Sequence, residues 1–133
     1  MDFLQILSIL LWGGLIGFAL VMLIRRLRTP SYLVPLTQEE FIKGYRKAQL
    51  IDVREPKEYN GGHIWGARNI PLSQLKQRLI EVRKDQQVYL YDNSGSRSRQ
   101  AARILKKKNG NDNLHYLKSG FKKWTGKVKK KKK

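Results

Sequence analysis

The chain has 133 residues, no cysteine, and a formal net charge of +18 from 28 lysines and arginines against 10 acidic residues. That length accommodates one domain of ordinary size plus an appendage. Without a thiol, cysteine nucleophiles are excluded, and the two isolated histidines, His63 and His115, offer no ligand set for a metal.

The appendage comes first. From Phe3 to Ile24 there is no charge, and only Gln5 and Ser8 are clearly polar. As a helix this run spans about 33 Å, the thickness of a hydrocarbon core. It reads as a single-pass transmembrane anchor occupying residues 1–28 together with its basic flank. A cleaved signal peptide is the competing assignment, since Gly17-Phe18-Ala19 has small residues at cleavage-like spacing. Against it, no Lys or Arg precedes the apolar run, and the run continues past that point through Ile24. Asp2 precedes the helix while Arg25, Arg26 and Arg28 follow it, so the positive-inside bias places the N-terminus outside and the following domain in the cytoplasm, at the cell membrane. Gly13 and Gly17 lie four residues apart on one helix face, a spacing compatible with homodimerisation.

Residues 29–36 are expected to form a short connection and a first strand, with Pro30 ending the helix. Tyr32 to Leu36 is the strand. Thr37-Gln38-Glu39-Glu40 is a capping box that opens a helix through about Lys47. Gln49 to Val53 is a second strand, rich enough in Leu, Ile and Val for a sheet covered on both faces. Pro56 starts a short helix. Ala67 to Ile70 is a brief strand, and Ser73 caps a predicted helix over 74–84. Val88 to Tyr91 is the central strand, followed by a helix from Ser98 to Lys108 that stops at Gly110. Leu114 to Leu117 is the last strand, and 120–127 is a closing helix. Alternation of this kind predicts a three-layer α/β domain around a mainly parallel sheet.

The chemistry concentrates at one turn. The strand ending at Tyr91 runs into Asp92-Asn93-Ser94-Gly95-Ser96-Arg97 and then directly into a helix. A strand-turn-helix step of this kind points backbone N–H groups and a helix N-terminus at one spot, the layout of an anion cradle. Arg97 at its mouth has the planar fork that suits phosphate or sulfate. Asp92, however, brings its own negative charge to the cradle. The reading that follows is a plugged site in which the Asp92 carboxylate accepts bonds from the turn N–H groups and forms an internal ion pair with Arg97. A phosphate-accepting role for Asp92 would require further carboxylates around a magnesium ion, and only Asp52 is a candidate.

The blocks around this loop carry a family resemblance. Leu50-Ile51-Asp52-Val53-Arg54-Glu55-Pro56, Glu58-Tyr59, the run from Gly62 to Leu72, and Leu117-Lys118-Ser119-Gly120-Phe121 with Trp124 resemble single-domain rhodaneses, in order, over 31–126. The resemblance implies a five-stranded parallel sheet flanked by helices, with the 92–97 loop in the place of the active site. It also implies that Asp92 stands at the position of the family's sulfur-carrying cysteine, with Arg97 closing the loop, and that Asp52 and Arg54 are scaffolding beside it. A carboxylate cannot hold a transferable sulfane sulfur, so no catalytic residue and no cofactor are expected, and the relic loop is Asp92, Asn93, Ser94, Gly95, Ser96 and Arg97. The expectation is a catalytically silent module docking an unidentified protein partner at the cytoplasmic face. The alternative is a sulfurtransferase-family enzyme, or an anion- or phosphate-handling activity at the Arg97 loop.

The remaining charge is basic and late. Lys106-Lys107-Lys108 and the stretch from Lys118 to Lys133 hold most of the excess, and 127–133 reads as a disordered polylysine tail. Lysines near a membrane attract anionic lipid headgroups by about 1 kcal/mol each. Nucleic acid fits less well, because aromatic stacking positions are not interleaved with the lysines of the tail.

Overall fold

The structure is a computed structural model that describes residues 1–28 and 30–130. It divides into two compact units, Met1–Pro30 and the remainder from Ser31. The first is the helix α1, Phe3–Leu27. Asp2 and Gln5 cap its start reciprocally, and Arg25 and Arg26 fall in its last turn, where cations complement the exposed carbonyls. Its 25 residues contain no buried side chain, and it is long and apolar enough to cross a membrane.

In the second unit five strands form one sheet: β1 (Leu33–Leu36), β2 (Gln49–Asp52), β4 (Arg68–Asn69), β5 (Val88–Tyr91) and β6 (Leu114–Leu117). Their order across the sheet is β1-β6-β5-β2-β4, every pairing is parallel, and β5 is central. Alternate residues face opposite sides, as the two-residue period of a strand demands. Leu33, Ile51, Val88, Leu90, Leu114 and Tyr116 face one apolar cluster, closed by Leu75, Val82, Ala101, Ala102 and Leu105. Leu50, Tyr89, Tyr91 and Leu117 face the other, closed by Phe41, Tyr45 and Ile64. The sheet is therefore covered on both faces, as its unbroken apolar strands predict.

Helix α2 (Gln38–Gly44) begins at the expected capping box, with Thr37 Oγ1 accepting from Glu40 N at 3.3 Å, and tightens into a 3₁₀ turn at Tyr45–Lys47. Helix α3 (Pro56–Asn60) has its proline in the first turn. Helix α4 (Ser96–Ile104) starts two residues earlier than expected and widens into a π turn over Leu105–Asn109 before Gly110 stops it at φ 78°.

Three expectations fail. The segment 74–84 is not an α-helix but two 3₁₀ turns, Leu72–Gln77 and Leu79–Glu81. Its inward-packed apolar residues are Leu72 and Leu75, three apart in the first turn as a 3₁₀ repeat requires, and Leu79 and Val82 at the start and end of the second, while Ile80 is exposed. The segment 120–127 forms only a 3₁₀ turn at Phe121–Lys123. Trp124 packs edge-on against Phe41 and Tyr45, and Thr125 N donates to Gln38 Oε1 at 3.0 Å, so the chain is drawn out along α2. Nor is the tail wholly outside the fold. Val128–Lys129 forms β7, antiparallel to β3 (His63–Ile64), and Lys127 O accepts from Trp65 N at 3.2 Å. Pairing satisfies backbone groups that β3 would otherwise leave open, which outweighs the like charges nearby. The last three positions of the expected tail, 131–133, lie outside the described residues.

At the C-terminal edge of the sheet, the turn after β6 locks onto the turn after β5. Gly120 adopts φ 79°, and a Cβ placed there would lie 2.1 Å from the Asn93 carbonyl oxygen. Only glycine fits. Gly120→Ala is expected to lower stability by about 2–3 kcal/mol, measured by denaturant unfolding of the detergent-solubilised chain, with the near-ultraviolet signal of Tyr91 and Phe121 changing alongside.

Candidate functional site

The carboxylate of Asp92 begins where β5 ends and is 1% exposed. Burying it requires donors, and the turn supplies them. Oδ1 accepts from Gly95 N at 2.9 Å, from Ser98 N at 3.3 Å and from Ser98 Oγ at 2.6 Å, while Oδ2 accepts from Arg97 N at 3.1 Å. Gly95 reaches this geometry at φ 101°, in the left-handed region. The side chain thus sits in the N–H cradle that the sequence outlined, at the start of α4. Ser94 and Ser96 lie outside it with their hydroxyls 3.4 Å apart.

The expected Asp92–Arg97 ion pair is absent. Only the Arg97 backbone reaches Asp92, and its guanidinium turns away to Glu58, with Nη1 donating to Oε1 at 2.8 Å. Glu58 Oε2 in turn accepts from Asn93 Nδ2 at 2.6 Å. The cause is competition among donors: backbone amides and Ser98 already supply four bonds to Asp92, whereas Glu58 projects from α3 with Oε2 open to Asn93 and Oε1, which accepts from Glu55 N at 3.3 Å, still able to take Arg97. Hydrogen bonding from Arg97 leads the effects that hold the Glu58 carboxyl below the usual glutamate range, and the same bond raises Arg97.

Behind the loop, Asp52 and Arg54 join the end of β2 to neighbouring segments. Both are buried, with Arg54 Nη2 at 2.7 Å from Asp52 Oδ2 and Arg54 Nε at 3.1 Å from both carboxylate oxygens. Nη2 also donates to the Gly62 carbonyl at 2.7 Å, and Nη1 reaches Asn93 Oδ1 at 3.4 Å. The guanidinium lies 4.3 Å from the centre of the Phe121 ring. Burial is the largest single effect and opposes its charge, but the hydrogen bonds to Asp52, the charge of that carboxylate and the nearby Tyr91 together outweigh it and raise its pKa. Breaking such a pair from one side costs about 3–5 kcal/mol.

The histidines are accounted for by packing. His63 stacks on Tyr59 with ring centroids 3.7 Å apart and Nδ1 2.8 Å from the Tyr59 carbonyl. His115 lies on β6, its Nε2 2.7 Å from Asn113 Oδ1, with burial lowering its basicity. Among the described residues no group of three His, Asp or Glu side chains could hold a metal.

Residues 37–127 match the rhodanese-like domain family. This chain belongs to that family. The Bacillus subtilis protein YqhL is 65% identical to it over 97 residues, covering 73% of this chain and 76% of that one. A putative sulfur carrier protein, YrkF, also of Bacillus subtilis, is 38% identical over 79 residues, covering 59% of this chain but only 42% of its own length. The crystal structure of a rhodanese-related protein from Thermoplasma volcanium superposes with a TM-score of 0.65 at 23% identity, covering 72% of this chain and 97% of that one, and shares the fold. The rhodanese-like fold places the 92–97 turn at the C-terminal end of the central strand, the edge at which open parallel sheets present their sites.

Two participants escaped sequence reading. Glu58 is 39 residues from Arg97, so no spacing rule joins them, although Glu58-Tyr59 is among the blocks that carry the resemblance. Ser98 reads as the first residue of a helix, and its hydroxyl instead faces back into the turn. The Glu58–Arg97 bond makes a pH-dependent contribution. Because the folded state holds Glu58 below its ordinary value of about 4.3, the contribution is complete above that pH and disappears as the pH falls through the lower folded-state value. Both side chains are roughly one-third exposed, so solvent screening limits it to about 0.5 kcal/mol. In Arg97→Ala the Glu58 carboxyl is expected to titrate closer to an ordinary glutamate, followed by carbon-detected NMR, with that increment of stability gone at neutral pH.

Proposed function

We propose that this chain is a membrane-anchored, catalytically silent member of the rhodanese-like family that docks a protein partner at the cytoplasmic face. The observation that carries the reading is the Asp92 carboxylate, buried in the cradle with both oxygens bonded. A sulfurtransferase passes sulfane sulfur through a thiolate, and the chain contains no cysteine to form one. The carboxylate also repels the incoming anion that such a cradle would otherwise attract, and Arg97 is engaged by Glu58. A domain with a filled cradle retains its surfaces, and those remain available to a partner. The apolar α1 with Arg25 and Arg26 in its last turn supports the anchor and its orientation.

The name of the sulfur carrier relative keeps an enzymatic alternative in view, in which a partner lends its cysteine or the Arg97 loop handles an anion. The two readings separate in a thiosulfate:cyanide assay of the full chain in detergent. No turnover is expected from the natural sequence, with or without added dithiol, and Asp92→Cys is expected to gain activity because the surrounding donors are already in place. Turnover by the natural sequence would overturn the silent reading. In-cell crosslinking completes the test: a specific membrane or cytoplasmic partner retained by Arg97→Ala supports docking away from the loop, and loss of that partner moves recognition to the loop itself.

A further inference from the structure

All five strands of the sheet are parallel, so the chain enters every strand at one edge and leaves at the other. Helices that connect parallel strands run back the opposite way, and their C-terminal ends gather at the entry edge. Basic residues follow this rule here. The turn after α2 carries Arg46 and Lys47, the approach to β5 carries Lys84 beside the ion-paired Arg83, the end of α4 carries 106–108, and Lys127 lies beside Trp65, all of them exposed. Side-chain bonds tie the segments before β2, before β5 and after α4 together: Asn109 Nδ2 donates to Val82 O at 3.1 Å, Asn111 Nδ2 to Arg83 O at 2.9 Å, and Gln49 Nε2 to Arg83 O at 2.9 Å.

Acidic groups at this edge are few. Asp85 is paired with Arg83 at 3.0 Å and Glu81 with Arg78, while Asp112, just before β6, is exposed and has no ion pair among the described residues. The opposite edge is mixed, with Glu39, Glu40, Glu55 and Glu58 offsetting the lysines that follow β6. Trp65 adds an apolar element to the basic edge. It is 58% exposed and borders an open recess of about 400 Å³ together with Arg46 and Lys127. The chain also reaches β1 at this edge, only a few residues after Arg28.

From these observations we propose that the entry edge of the sheet is a docking surface for an anionic phospholipid bilayer, with the lysines and arginines on the headgroups and Trp65 at the interface. This rests on the anchored reading above. Clustered cations near a membrane bind its negative surface potential, and tryptophan favours the headgroup level. The 92–97 loop lies at the opposite, exit edge of the sheet.

The absence of native cysteine permits single-site labelling. The full chain carrying a fluorophore at Lys107→Cys, on the entry edge, or at Lys57→Cys, on the exit edge, is inserted into nanodiscs containing a headgroup quencher. Discs of phosphatidylcholine alone are compared with an equal mixture of phosphatidylcholine and phosphatidylglycerol. Position 107 is expected to be quenched at least about twofold more in the anionic discs, and to lose that difference in about 1 M salt, where the screening length falls to about 3 Å. Position 57 should respond equally in both lipids. The combined variant Arg46→Gln, Lys47→Gln, Lys106→Gln and Lys108→Gln should abolish the difference at 107 while leaving insertion intact. Equal quenching of 107 in both lipids, or an anionic response at 57 as large as at 107, overturns the proposal. Failure of the chain to insert into neutral discs, seen as release by alkaline carbonate, instead overturns the anchored reading on which it rests.

Discussion

The guanidinium of Arg54 is the point on which the exit edge of the sheet depends. It is a buried cation, and a buried cation is tolerable only when its N–H groups find acceptors in the right directions. Those acceptors belong to separate segments: Asp52 at the end of β2, the Gly62 carbonyl before β3, and Asn93 in the turn after β5. Phe121, from the turn after β6, closes the remaining side as an aromatic face. One side chain thereby fixes where four connections meet, and the 92–97 turn inherits its position from that meeting.

Asp92 presents the opposite charge problem and solves it differently. Its carboxylate is compensated by neutral donors within six residues of itself, so the turn closes on its own sequence and needs no distant cation. That local closure frees Arg97 to bond Glu58, which joins α3 to the start of α4 across the mouth of the turn. The arrangement resembles a site holding an anion already, with the anion supplied by the chain. Ligand recognition and turn stability, which compete for the same amides in a working cradle, no longer compete here.

Much of this was legible in the sequence, and the failures share a cause. The strands Leu114–Leu117 and Val88–Tyr91 are short apolar runs between breakers, and both appear where the pattern puts them. Thr37 and Pro56 mark helix starts through rules that act over three or four residues. The 74–84 and 120–127 segments instead take their shape from distant partners: Leu75 and Val82 from the cluster beneath α4, Trp124 from Phe41 and Tyr45. The Glu58–Arg97 bond was missed for the same reason, since nothing local to Arg97 announces a carboxylate that arrives from another helix. Nor could a charge-based reading of the last residues foresee β7, because its pairing partner, His63–Ile64, is too short to register as a strand.

The close approach of Gly120 to Asn93 makes the two turns a single mechanical part. Phe121 N donates to the Asp92 carbonyl at 2.8 Å, and Lys122 N lies 3.5 Å from the Asn93 carbonyl, so neither turn can lift without breaking bonds held by the other. Local opening in proteins proceeds by cooperative units rather than by isolated residues. Here the cooperative unit at the exit edge spans two crossovers of the sheet. A disturbance that begins at 118–124, such as contact with another molecule, therefore reaches the Asp92 turn as a change in its opening equilibrium, with no displacement of the intervening strand required.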